Sequence, residues 1–387
     1  MKKILFLLAA AAFALTAAEP AGAAKTAAVP VKKQPAPKVV RKKIDYFPNL
    51  KRPALENPQS WTMVVVPDIQ GYVSKSTNHG ILNMMLSWIA AQKQNLNIKQ
   101  VLFTGDLVDQ NCDGKVIPNR YELVCEEQWE TTSKLLTKLD GKLPYILCTG
   151  NHDYGVRAAE NRRTLYNDYF KSNRNPLTRE QLIECGFNFS GIKTMENAVF
   201  EFTAPYPDCR KFLVATVQFA PKKEQLEWFR NIFNDPKYAD HFGIVLTHAY
   251  MRTNGEYIKK HPKYEPNLDG GLAGEDIHEL LIKQTKNIRL VVCGHVAGTE
   301  DWVKSVGFHE TVNAAGKKVA QMIFNTQAIG KGIRYNGGDG WLRLLEFMPD
   351  KKTIKARTFS PLFAASPSTC HLAWKTDARN EFTFTIE

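Results

Sequence analysis

From residue 58 onward, short apolar runs alternate with stretches whose apolar positions recur every three or four residues. The runs "WTMVVVP", "QVLFTGD" and "LPYILCTGNHD" are separated by helical patterns around 80–94 and 124–139, and a third helical pattern follows around 158–171. Then come "AVFEFTA", "KFLVATV", "FGIVLTH" and "IRLVVCGH", with helical patterns around 222–234 and 274–285 among them. Strands apolar on both faces, joined by amphipathic helices, predict βαβ units with buried parallel strands. The last hundred residues read mostly as strands and turns, including "KVAQMIFNTQ", "GWLRLLEF" and "TIKARTF". With no internal repeat and no second linker, residues 58–387 are expected to form a single α/β domain.

The pattern changes toward the start of the chain. "MKKILFLLAAAAFALTAAEP" places Lys2 and Lys3 before an apolar run that ends in small residues, the arrangement of a secretory signal peptide over 1–18, with cleavage after Ala18 or after Ala23. That run is short for a bilayer span, and Pro20 argues against a buried helix. Residues 19–57 are rich in Ala, Pro and Lys and read as an extended tether. The expected location is therefore secreted or periplasmic.

Charge follows the same division. The net charge is +12, and residues 1–57 hold 11 Lys or Arg against 3 Asp or Glu, so most of the excess belongs to the leader and tether. Such an arm suits electrostatic contact with a negatively charged envelope surface. It lacks interleaved aromatics, so no nucleic-acid partner is expected. Seven cysteines in an exported chain permit disulfides. Cys112 with Cys125 and Cys185 with Cys209 bracket loop-like segments that a bridge would suit, whereas Cys148 and Cys293 sit in apolar runs as small hydrophobes.

The chemistry lies where the strands end. Asp68, Asp106, Asn151, His152, His248 and His295 each terminate an apolar run, in "VVVPD", "VLFTGD", "YILCTGNH", "IVLTH" and "LVVCGH". Ligands of open α/β sheets bind at the carboxyl ends of strands, where successive loops converge. A lone Asp there is usually a turn former or cap, and a lone His a structural residue. Five strand ends delivering oxygen and imidazole donors to one edge instead suit a divalent transition metal.

"PDIQ", "GDLVD", "GNHD", "LTH" and "GHVAG", in this order, resemble the motifs of the calcineurin-like metallophosphoesterases over about residues 61–297. The resemblance implies a four-layer α/β/β/α sandwich holding one or two divalent ions (Mn, Fe, Zn or Mg), with a phosphate ester as substrate. It places Asp106 between two ions, Asn151, His248 and His295 at one of them, and Asp68 at the other. It makes His152 the donor of a proton to the leaving group, oriented by Asp109.

Two positions depart from the family pattern. Gln70 stands where the first motif usually has His, and Ala297 where the last one does. Both of those histidines serve the same ion, so one site loses its imidazoles and the other keeps its donors. Three readings stay open: Gln70 binds through its amide oxygen in an oxygen-rich site favouring Mn, Mg or Ca, the enzyme works with one ion, or catalysis is lost and metal binding retained. Asn325 and Gln327 in "FNTQ" are candidates for the vacated position.

Other residues carry less. His79, His241, His261, His278 and His309 match no motif and read as surface or structural residues. Tyr72 and Tyr154 flank the motifs, with pocket lining and ordinary packing both open. "NLDGGLAGED" and "RYNGGDGWLRLLEF" have no Lys after their glycines, so neither reads as a nucleotide cradle.

Overall fold

A computed structural model describes Phe47 and residues 50–386 except 113, 115, 117–121, 260–269, 299 and 331–334. The expected signal peptide, most of the tether and His261 lie outside the described residues. Among the described residues no helix is long and apolar enough to cross a membrane.

The described residues form fourteen strands: β1 (Trp61–Val66), β2 (Ile98–Phe103), β3 (Tyr145–Leu147), β4 (Leu182–Phe187), β5 (Lys193–Thr203), β6 (Lys211–Thr216), β7 (Phe242–Leu246), β8 (Ile288–Cys293), β9 (Val306–Val312), β10 (Lys318–Phe324), β11 (Leu342–Phe347), β12 (Thr353–Phe359), β13 (Trp374–Lys375) and β14 (Phe382–Thr385). They form two seven-stranded sheets, β13-β12-β11-β1-β2-β3 with β14 on β12, and β4-β5-β6-β7-β8-β10-β9. β1, β2 and β3 run parallel, as do β6, β7, β8 and β10, while the flanking strands pair antiparallel.

Side-chain alternation builds the layers. Met63 and Val65 of β1 face inward and meet Phe212, Ile244 and Val292 of the other sheet in a core between the sheets. Their neighbours Val64 and Val66 face outward and pack against Leu82, Met85, Leu86 and Ile89 of the helix His79–Ala91 and Trp129 of the helix Cys125–Leu136. On the far side Leu213, Val245 and Val291 pack on Leu226 and Phe229 of the helix Lys223–Phe233 and on Leu281. A strand buried on both faces has no polar side to show, which is why its run reads as continuously apolar. The result is the four-layer α/β/β/α sandwich.

The structure departs from the expected pattern in two places. The helix expected over 158–171 shrinks to Tyr166–Tyr169. The Glu160 carboxylate collects the backbone N–H groups of Val156, Arg157 and Ala158 at 2.8, 2.9 and 3.0 Å, and Ala159 adopts φ +62, so a local loop outcompetes the helix. The folded unit also starts earlier than residue 58. Glu56 N–H donates to Glu346 at 2.7 Å, Trp374 Nε1 to the Lys51 carbonyl at 2.6 Å, and Arg357 to the Ala54 carbonyl at 2.9 Å, so the end of the supposed tether lines the first sheet. All seven cysteines are thiols, and Cys125 is buried with its thiol on the Glu126 carboxylate.

Candidate metal centre

Parallel pairing brings the carboxyl ends of β1, β2, β3, β7 and β8 to one edge of the two sheets. Asp68 follows β1, Asp106 follows β2, Asn151 follows β3, His248 follows β7 and His295 follows β8. Two of these residues sit in the left-handed region, Asp106 at φ +47 and His295 at φ +71, where a side chain is strained unless its surroundings hold it. Two glycines allow the close approach. A Cβ on Gly150 would lie 2.1 Å from Asp106 Oδ1, and one on Gly294 would lie 2.2 Å from Asp68 Oδ1.

Asp106, Asn151, His248 and His295 converge. His248 Nε2 is 3.3 Å from Asp106 Oδ2, 3.1 Å from Asn151 Oδ1 and 3.1 Å from His295 Nδ1, which is itself 3.0 Å from Asn151 Oδ1. Asp106, His248 and His295 offer ligand atoms that all lie within 4.8 Å of one another. The tautomer of His248 follows from its other side: Nδ1 lies 2.8 Å from the Thr104 carbonyl, which can only accept, so Nδ1 carries the proton. Whenever His248 is neutral, it therefore points the Nε2 lone pair at the Asn151 oxygen and the Asp106 carboxylate. Lone pairs facing one another in a buried site call for a cation among them, and a histidine whose far nitrogen donates to a carbonyl is the usual form of a metal ligand.

The electrostatics agree. Burial would lower the His248 imidazole, but the Asp106 and Asp68 carboxylates outweigh it and push it up to about 10. Burial works against the charge on Asp106, yet His248 and His152 hold its carboxyl well below the usual range. The carboxylates thus demand positive charge, which a proton or a metal ion can supply.

The other half of the edge is arranged differently. Asp68 is fully buried and its oxygens have partners within the chain: Thr104 Oγ1 donates to Oδ1 at 2.7 Å, and His295 N–H and Asn325 Nδ2 donate to Oδ2 at 3.0 and 2.5 Å. Burial pushes the Asp68 carboxyl up to about 6, against the pull of His248. Gln70 opens the short helix Gln70–Val73, and its Nε2 donates to Asp109 Oδ1 at 3.2 Å. Its Oε1 is buried with no hydrogen-bond partner, an oxygen donor with unspent capacity. Asn325 is therefore a hydrogen-bond partner of Asp68, while Gln327 N–H donates to Asn325 Oδ1 at 3.2 Å.

His152 stands beside the cluster and is partly exposed. Its N–H donates to Asp106 Oδ1 at 3.0 Å, and its Nδ1 donates to the Asp109 carbonyl at 2.9 Å. The Asp109 carboxylate is farther away, at 3.8 Å. The backbone of Asp109 orients the ring and its side chain contributes charge, where the sequence reading gives orientation to the side chain.

Asp153 escaped the sequence reading although it closes "GNHD". Its Oδ1 accepts from Leu107 N–H at 2.8 Å and Val108 N–H at 3.2 Å, and its Oδ2 accepts from Gly150 N–H at 2.7 Å. One buried carboxylate thereby ties the Asp106 loop to the Asn151 loop, and burial together with Asp106 pushes it up to about 8. Tyr72 and Tyr154 pack within the fold; Tyr72 Oη accepts from Gly340 N–H at 2.9 Å, and Tyr154 Oη donates to Glu196 at 2.5 Å. His79, His241 and His278 find partners in Val73 O, Glu201 and Tyr250, away from the cluster.

A sandwich of this kind, with Asp, Asn and His donors at the carboxyl ends of its central strands, defines a metallophosphoesterase. The chain belongs to the calcineurin-like phosphoesterase family, a family of metal-dependent phosphoesterases, which it matches over residues 62–298. It is 24% identical over 302 residues to the uncharacterized protein YvnB of Bacillus subtilis (strain 168), covering 78% of this chain and 20% of that one, so it spans about a fifth of that relative's length. Among solved structures it is similar to a dimetal phosphatase from Danio rerio, with 11% identity, a TM-score of 0.43 and coverage of 86% of this chain and 100% of that one. It is also similar to GAP50, the anchor in the inner membrane complex of Plasmodium, with 10% identity, a TM-score of 0.40 and coverage of 85% and 89%.

Proposed function

We propose that the protein is an exported phosphoesterase that hydrolyses a phosphomonoester or phosphodiester with a divalent ion held by Asp106, Asn151, His248 and His295. The observation that carries this reading is the tautomer of His248: its Nδ1 is committed to the Thr104 carbonyl, so Nε2 turns a lone pair toward Asn151 Oδ1 and Asp106 Oδ2. A second, weaker position is formed by Asp68 and Gln70, whose unpartnered Oε1 supports an oxygen-rich site suited to Mn or Mg. Export rests on the signal-like first residues.

A bound divalent ion lowers the pKa of water and offsets charge on phosphoryl oxygens. The chain supplies the rest. Asp106 and Asn151 fix the position of that charge, and Asp153 holds their two loops in register. His152, anchored through Nδ1 on the Asp109 carbonyl, presents Nε2 as the atom that hands a proton to the leaving oxygen. The Asp109 carboxylate lies 3.8 Å from that same Nδ1.

The alternative reading is a catalytically silent metal-binding protein of the same fold, and the Gln70 and Ala297 departures make it worth testing. The mature protein is assayed for metal content and for hydrolysis of mono- and bis-p-nitrophenyl phosphate with Mn, Mg, Ca or Zn. Turnover that disappears in His152→Ala while metal content stays unchanged supports the enzyme. Stoichiometric metal without turnover of either ester under every ion supports the silent protein.

A further inference from the structure

The amino ends of β7, β8 and β10 lie one strand length, about 20 Å, from the metal edge. A cavity of about 380 Å³ opens there, lined by six Lys or Arg side chains against a single carboxylate, that of Asp240. Three residues on its wall have a buried polar atom with no partner: Arg289 Nη2, His241 Nδ1 and Asn287 Oδ1. Their other polar groups are committed. Arg289 Nε donates to the Lys318 carbonyl at 2.8 Å, His241 Nε2 to Glu201 at 3.1 Å, and Asn287 Nδ2 to the Tyr238 carbonyl at 2.8 Å. These bonds hold the side chains in place while leaving capacity for a ligand.

Basic groups crowd the wall. Arg210 pairs with Asp208 at 2.6 and 2.9 Å, but burial and that same Arg210 together push the Arg289 guanidinium below its ordinary value. An anion between such groups relieves both effects, and a guanidinium fork matches the paired oxygens of a phosphate. The cavity is of the size that holds small organic ligands, about 300–1,000 Å³. Asn287 Oδ1 is an acceptor, suited to a hydroxyl on the organic part.

We propose that this cleft is a second anion site, separate from the metal centre, which takes a small phosphate ester between Arg289, Lys286 and Lys317. It does not depend on the activity proposed above.

The test is calorimetric titration of the full chain with glycerol 3-phosphate and, in parallel, inorganic phosphate. The His248→Ala background removes binding at the metal centre. The expected result is one saturable site for the ester that weakens as salt is added. It weakens at least tenfold in Arg289→Gln and in the Lys286→Gln, Lys317→Gln pair, whose side chains are exposed and whose replacement leaves the fold intact. Absence of saturable binding in His248→Ala, or affinity unchanged in the lysine pair, would overturn the site. Inorganic phosphate binding as tightly as the ester would overturn the ester as its ligand.

Discussion

The two halves of the metal edge are built from similar residues and reach opposite electrostatic solutions. Around His248, ligand-type atoms of Asp106, Asn151 and His295 crowd together at 3.0 to 3.3 Å, and among the described residues only Asp106 Oδ1 receives a backbone donor, from His152 N–H. Around Asp68, the chain provides a hydroxyl, a backbone N–H and an amide, so the carboxylate is satisfied by hydrogen bonds before any ion arrives. Whether a buried carboxylate reads as a metal ligand thus depends on whether its neighbours donate or accept. The residue type does not decide it. The half that kept its imidazoles gathers a group of side chains that could hold a metal ion, and in the half that lost them Asp68 is already satisfied by hydrogen bonds.

The largest effect is expected from His248→Ala, which removes the central nitrogen of the first cluster. Bound metal and turnover should both vanish, as read by elemental analysis and p-nitrophenyl ester hydrolysis. A variant that keeps one equivalent of metal would place the tight site elsewhere. Next comes His152→Ala, expected to lower kcat by about 10²–10⁴-fold, the range of general acid catalysis, with metal content unchanged. Loss of metal in this variant would make His152 a structural part of the cluster.

A smaller loss is expected from Asp153→Asn. It replaces an acceptor of three backbone N–H groups with a side chain that carries donors of its own. Metal affinity at the first cluster should fall by about 10–100-fold, as for other groups that orient ligands, measured by competition with a chelator of known affinity. The smallest effect belongs to Gln70→Ala, which should remove only the weak second equivalent in a metal titration. Gln70→His combined with Ala297→His should raise that second equivalent toward the affinity of the first. An unchanged titration in both would show that Asp68 acts solely through its hydrogen bonds.

Much of the site was legible because strand ends are marked twice, by an apolar run and by the polar residue that stops it. Asp68, Asp106, Asn151, His248 and His295 were singled out on that signal, and the fold gathers them at one edge. Asp153 carries the same signal at one remove, since the residue after His152 in "GNHD" is also an Asp, but its role in joining two loops exists only once β2 and β3 are paired. Asn325 reads from sequence as a spare ligand and turns out to donate to Asp68, because an amide can serve either way and only its neighbour chooses. The helix expected over 158–171 failed for a local reason, the capture of three N–H groups by Glu160, which periodicity does not register.

The order of apolar runs and amphipathic stretches was enough to predict βαβ units with buried parallel strands and the edge at which the donors gather, while the four layers followed from the family resemblance. The first two follow from local alternation and from the rule that loops at the carboxyl ends of parallel strands converge. Which donors face one another, which carboxylate is already satisfied, and how six basic side chains scattered from Arg210 to Lys352 come to line one cleft are long-range matters. They depend on pairings between strands far apart in the chain, and hydrogen-bond partners at that separation leave no trace in the local pattern.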